Sequence, residues 1–175
     1  MPTIAPPFDV PVTTVTAAGD LSEACDPRIG LGYAYWQAKV AACPSGHLPG
    51  RQQLRPEEMV AFLPCVLLFD VERTGTAVRF RHRLTGTHFF DLFGRDVTNL
   101  YIEETGSKED MAVVQARFVS VVTGRQPIYG VAPVPAPGRE FLHYEYMTAP
   151  LASDGINVDM LFGVRCALWT ARRLA

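Results

Sequence analysis

Histidine is the side chain best suited to chemistry in this 175-residue chain, and there are four: His47, His82, His88 and His143. His82 lies in Val78-Arg79-Phe80-Arg81-His82-Arg83-Leu84. As a strand, this run puts Val78, Phe80, His82 and Leu84 on one face and Arg79, Arg81 and Arg83 on the other. An inward histidine can ligate haem iron, titrate as a sensor or sit hydrogen-bonded in a core, and the core role is the commonest. His88, beside a phenylalanine cluster, is the second candidate haem ligand. His143 alternates with Tyr144, so one of the two points inward. His47 lies in a loop. No two histidines have helical metal spacing and no carboxylate cluster joins them, so no metal site is expected.

Asp70 and Glu72 are two apart on a strand and share a face, as an acid-base pair would. A solvated strand end explains that spacing more simply. No G-x-S-x-G, Walker loop, H-E-x-x-H or paired catalytic carboxylate motif occurs, and the reading is of a non-enzyme. Cys25, Cys43, Cys65 and Cys166 contain no C-x-x-C pair, and Cys43 with His47 is a half-site without a second half. Reduced thiols, partly in the core, are expected. The Arg79/Arg81/Arg83 ladder reads either as a solubilising strand face or as a docking stripe for an acidic partner. Nucleic acid is the weaker choice, because 16 basic against 18 acidic residues leave a net charge of −2.

The length fits one domain with flanking material, and 48% hydrophobic residues are ample for a core. No run approaches the ~18 apolar residues of a membrane span. The N-terminus has neither a basic region nor a continuous apolar segment. A cytoplasmic protein with no membrane contact is expected.

These side chains need elements to hold them. Residues 1–25 read as an extended arm, whose Ile4, Phe8, Val10 and Val12 could dock on a partner. Residues 26–54 give a helix, Ile29 to Ala42, and a Gly- and Pro-rich loop. Ile29, Tyr33, Trp36 and Val40 make one apolar face of that helix, while Gly30 and Gly32 weaken its start. Residues 55–170 hold the rest. A short helix starts at Pro56. A hairpin follows, from Val66 through Thr74-Gly75-Thr76 to Leu84. His88-Phe89-Phe90-Asp91-Leu92-Phe93-Gly94 forms a short aromatic helix. A longer helix runs from Lys108 to about Thr123, with Met111, Val114, Phe118 and Val121 inward and Gly124 ending it. Strands over Ile128–Val134, Arg139–Thr148 and Val158–Leu168 complete the chain as a meander. The last strand sets Val158, Met160, Phe162, Val164, Cys166 and Leu168 on one face. The hairpin must pair with the meander, since an isolated hairpin is marginal. The fold class is α+β: a five-stranded antiparallel sheet with short helices and one longer helix on one face, plus the N-terminal helix.

This order resembles a PAS domain over roughly Arg55 to Leu168. More narrowly, it is similar to a bacterial family of small stand-alone PAS-like proteins. The resemblance rests on Tyr35-Trp36, Leu63-Pro64 and Phe69-Asp70-Val71. It continues through Phe80-Arg81-His82-Arg83-Leu84-Thr85-Gly86-Thr87 and Phe93-Gly94-Arg95-Asp96-Val97-Thr98. An aromatic is common at the position of His82 in that family, so the histidine is a departure that bears on a ligand.

The resemblance implies a space between sheet and short helices that either takes a small molecule or is plain core. Its lining would be Phe80, His82, Leu84, Phe89, Phe90, Phe93, Tyr101, Phe118, Tyr144, Tyr146, Met160 and Phe162. Aromatics at strand spacing are normally core, so a packed core is the simpler reading and a ligand pocket the alternative. The cofactor is unknown: haem stays open through His82 or His88. Cysteine-adduct flavin chemistry is excluded on the assumed alignment, because no cysteine lies between Cys65 and Cys166. The expected function is a sensory or regulatory module that binds a small ligand or a protein partner and signals through another protein. The alternatives are an interaction adaptor with a filled core, or a small cavity enzyme. Tyr33, Trp36 and Val40, with the arginine ladder, are the expected partner surface. The helix face is expected either to pack on the sheet's outer surface or to form a homodimer interface.

Overall fold

The computed structural model of the chain describes residues 13–14, 21, 24, 26–135, 138–139 and 141–168. Most of the expected arm, including Ile4, Phe8, Val10 and Val12, lies outside them. Thr13–Thr14 (β1) pairs with the sheet edge. Helix α1, Pro27–Ala41, starts where the Asp26 side chain accepts a hydrogen bond from the Arg28 amide at 3.0 Å. Short 3-10 turns at Arg51–Gln53, Pro56–Glu58 and Leu63–Cys65 lead into β2, Val66–Thr74, and β3, Ala77–Thr85. Helix α2, Thr87–Phe93, and a 3-10 turn at Ile102–Glu104 precede α3, Lys108–Gly124. Strands β4, Ile128–Pro133, β5, His143–Leu151, and β6, Met160–Leu168, follow.

All pairings are antiparallel, and the sheet order is β1-β4-β5-β6-β2-β3. The five expected strands form its body. The expected strand from Arg139 begins later, at His143, after a turn in which the Leu142 N–H bonds Arg139 O at 2.9 Å. Helix α3 runs through Gly124. Arg125 takes the left-handed cap conformation instead, with φ 54°, held where its guanidinium donates to Ile156 O at 2.7 Å and Gly46 O at 2.8 Å.

The sheet is covered on both faces. Helices α2 and α3 lie on one, with Met111, Phe118 and Val121 of α3 buried. Helix α1 lies on the other, across β5 and β6. Tyr33 and Trp36 are buried there, and the Trp36 indole N–H donates to Pro150 O at 3.0 Å. Gly32, a poor helix former, is what permits the approach: a Cβ at this position would stand 2.5 Å from Val164 Cγ2. Of the two places expected for this helix, it occupies the sheet's outer surface. Tyr33 and Trp36 are thereby buried against the sheet, and Val40 is half-buried against the same core. Cys65 and Cys166 are both buried. They lie beside each other. No helix among the described residues is long and apolar enough to cross a membrane.

Candidate ligand-binding site

The site is built where three strands turn their aromatic faces toward α2 and α3. Cross-strand partners point to the same side of a sheet. Phe69 pairs with His82, and Tyr146 with Arg165. The register of β2 and β3 jumps between Leu68 and Phe69, because Leu68 pairs with Leu84 while Phe69 pairs with His82. Arg83 is the extra residue of a β-bulge. The bulge reverses the phase of the strand beyond it. Leu84 goes with Leu68 to the α1 face, contrary to the unbroken alternation expected from sequence.

A cavity of about 10 Å³, room for about one water molecule, lies against this face. Phe69, His82, Phe89, Phe93, Tyr144 and Arg165 line it, with Ile102, Thr105, Met111, Val114 and Pro135 closing the helix side. Phe89 and Phe93 stack at 4.0 Å, and the His82 ring lies 5.7 Å from Phe89. Phe80 and Phe118 pack edge to face at 5.1 Å behind this wall. Tyr146 adjoins Tyr144, 5.8 Å between ring centres, and lies over Gly130, where a Cβ would meet its hydroxyl oxygen at 2.7 Å.

Of the lining expected from sequence, His82, Phe89, Phe93 and Tyr144 meet at the cavity. Phe80, Phe118 and Tyr146 pack in the surrounding core. Five residues go elsewhere. Phe90 projects outward from α2 and is 50% exposed. Tyr101 lies on the outer side, its hydroxyl donating to Glu72 Oε2 at 2.8 Å and its ring under the Arg79 guanidinium at 3.4 Å. Leu84 is turned by the bulge. Met160 and Phe162 do share a face, but it is the α1 face: Met160 pairs with Asp70, and Phe162 packs on Tyr35 at 6.3 Å.

The cavity side of β6 carries the residue that sequence reasoning missed. Arg165 is buried, and its guanidinium carbon lies 5.3 Å from the Phe69 ring centre, 5.6 Å from Phe89, 5.5 Å from Tyr144 and 5.8 Å from Phe118. The available signal was a lone charge inside an otherwise apolar strand.

His82 is held by its backbone, whose N–H donates to Leu100 O at 2.9 Å while its carbonyl accepts from Asn99 N at 2.7 Å. Its Nδ1 is buried without a hydrogen-bond partner among the described residues. Burial, then the Arg165 charge, push the imidazole down to about 3, so it is neutral at physiological pH. His88, the other candidate iron ligand, accepts from the Ala167 amide at 3.2 Å through Nε2. The described residues contain no cluster of three or more His, Cys, Asp or Glu side chains suited to a metal ion.

The arginine ladder is largely satisfied within the chain. Arg79 pairs with Glu103 at 2.6 Å, and Arg81 with Asp70 at 3.3 Å and Glu72 at 2.8 Å. Asp70 and Glu72 do share a face, but Arg81 occupies the space between them. Arg83, at the bulge, is exposed.

This sheet order, with α2 and α3 over one face, defines an α+β domain of PAS type. The PAS domain family matches residues 30–166, and the chain belongs to that family. The match reaches back into α1. Among solved structures, the chain is similar to an RNA-binding light-oxygen-voltage receptor, with a TM-score of 0.45 and 14% identity. That similarity covers 71% of this chain and 35% of the receptor, so the chain spans about a third of its length. No curated protein matches the sequence.

Proposed function

We propose that this PAS domain is a sensory or regulatory module that takes a small ligand between its sheet and α2/α3 and passes the change to another protein. PAS domains are common sensory modules, and that supports the role. The observation that carries ligand binding is the pair of polar side chains on the cavity wall, His82 and Arg165. Each has a buried nitrogen without a hydrogen-bond partner among the described residues. A plain core has no use for such groups, because burying them unpaired is costly.

The module acts by binding. A cavity enzyme would place an acid or histidine at the pocket floor. His82 has that location, but an imidazole held near 3 is too weak a base for proton abstraction at neutral pH. No carboxylate is among the cavity-lining residues described. Phe90 on α2, Val113 on α3 and Phe141 beyond β4, 50%, 51% and 74% exposed, are apolar side chains on or near the cavity elements that a signalling partner would meet. Native mass spectrometry and NMR of the purified protein test the reading. A retained or titrated small molecule that shifts α2 resonances supports it. A tight core that no small molecule perturbs overturns it in favour of an adaptor.

A further inference from the structure

Arg165 is 6% exposed, and among the described residues no ion pair involves it. Among those residues its Nε has no hydrogen-bond partner either. Its electrostatic neighbours include the hydroxyls of Tyr144 and Tyr146 and the guanidinium of Arg117. Burial accordingly pushes this guanidinium below its ordinary value. Four aromatic rings within 5.8 Å give it some compensation. Ring faces do not replace acceptors for a fork of five N–H donors.

We propose that Arg165 anchors a small organic monocarboxylate, held by its guanidinium fork with the flat apolar part of the ligand against the aromatic wall. This rests on the ligand-binding reading above. The single charge follows from the lining: one guanidinium is present, and His82 beside it is neutral. A monoanion balances the one guanidinium in the cavity lining, from which Arg117 is absent. The fork geometry selects two coplanar oxygens. The unpartnered Nδ1 of His82, 2% exposed, lines the same cavity and supplies a second polar contact. Phe69, Phe89, Phe93 and Tyr144 provide the apolar surface. At about 10 Å³ the cavity admits little more than a water. The carboxylate therefore enters as the Phe89 and Phe93 rings move out, and α2 is the element it displaces.

Benzoate and its neutral isostere benzamide separate charge from shape. The full chain is titrated with each, and with indole as an unrelated neutral aromatic, by NMR and thermal unfolding. Benzoate is expected to shift resonances of α2 and of β6 around Arg165, to raise the unfolding midpoint, and to bind at least about tenfold more tightly than benzamide. Arg165→Met abolishes that preference. Arg165→Lys keeps the charge but loses the fork, weakening benzoate and leaving benzamide unchanged; it carries the test if the methionine variant does not fold. Equal binding of benzoate and benzamide, or undiminished benzoate binding in both variants, overturns the proposal while leaving ligand binding intact. The same holds if indole alone shifts the α2 resonances. If none of the three probes shifts them, the ligand-binding reading falls as well.

Discussion

Phe69 and His82 face each other across β2 and β3 with ring centres 4.7 Å apart, at the step where β3 takes on the extra residue Arg83. The imidazole is thereby fixed in an aromatic cage, between Phe69 and Phe89, with Arg165 as its charged neighbour.

That cage makes stability fall in acid. The folded value of His82, about 3, lies below an unfolded value near 6.5. The unfolded chain therefore binds the proton more readily. The contribution is complete above about pH 6.5 and is lost progressively as pH falls toward 3. By pH 5 this group alone removes about 2 kcal/mol. Urea unfolding at pH 7.5 and 5 measures it. His82→Phe should fold and should flatten this part of the pH dependence. An unchanged slope, or a variant that fails to fold, shows that His82 holds the fold together in some other way.

Gly130→Ala tests how the tyrosines are seated. The added methyl meets Tyr146 Oη at 2.7 Å and Cζ at 2.9 Å. Overpacking of this kind costs about 1–3 kcal/mol. The Tyr146 ring must tilt toward Arg165, its cross-strand partner. A lower urea midpoint with altered tyrosine ring resonances is expected.

Trp36 tests where α1 belongs. Trp36→Phe removes the hydrogen bond to Pro150 O and costs about 1 kcal/mol, while Trp36→Ala costs about 3–5 kcal/mol. Both losses should appear in unfolding, with sedimentation unchanged. A variant that instead altered the association state would mean that α1 serves an interface.

Arg81 tests the outer lattice. Arg81→Ala leaves Asp70 and Glu72 facing each other without their shared cation. The pairs are partly exposed, so the loss stays within about 1 kcal/mol and shrinks as salt is raised. Unfolding midpoints at low and high sodium chloride check this.

Much of the fold was legible because periodicity reports it directly. The hairpin, the buried stripe of α3 and the shared face of Met160, Phe162, Val164 and Cys166 all follow from spacing. What spacing does not carry is which face meets which layer. In β6 both faces are buried, so neither set is polar enough to declare itself, and spacing alone assigns Phe162 to the wrong side. Arg165 was the tell: a charge in a central strand needs a special environment. The bulge was illegible for another reason. A one-residue slip depends on the pairing of β2 with β3, and Leu84 reads as regular alternation in its own strand.

The hydrogen bond from the Asp26 amide to Glu145 Oε2, at 2.9 Å, gives the sheet a second role. Glu145 sits between Tyr144 and Tyr146 in sequence yet faces the opposite side, where Tyr129 also donates to it. The two compartments of the domain are thus separated by the thickness of a single backbone. Tyr144, Glu145 and Tyr146 are consecutive in β5, and Glu145 ties that strand to the first residue of the α1 cap. One strand thus carries the cavity-side tyrosines on one face and the anchor of the α1 cap on the other.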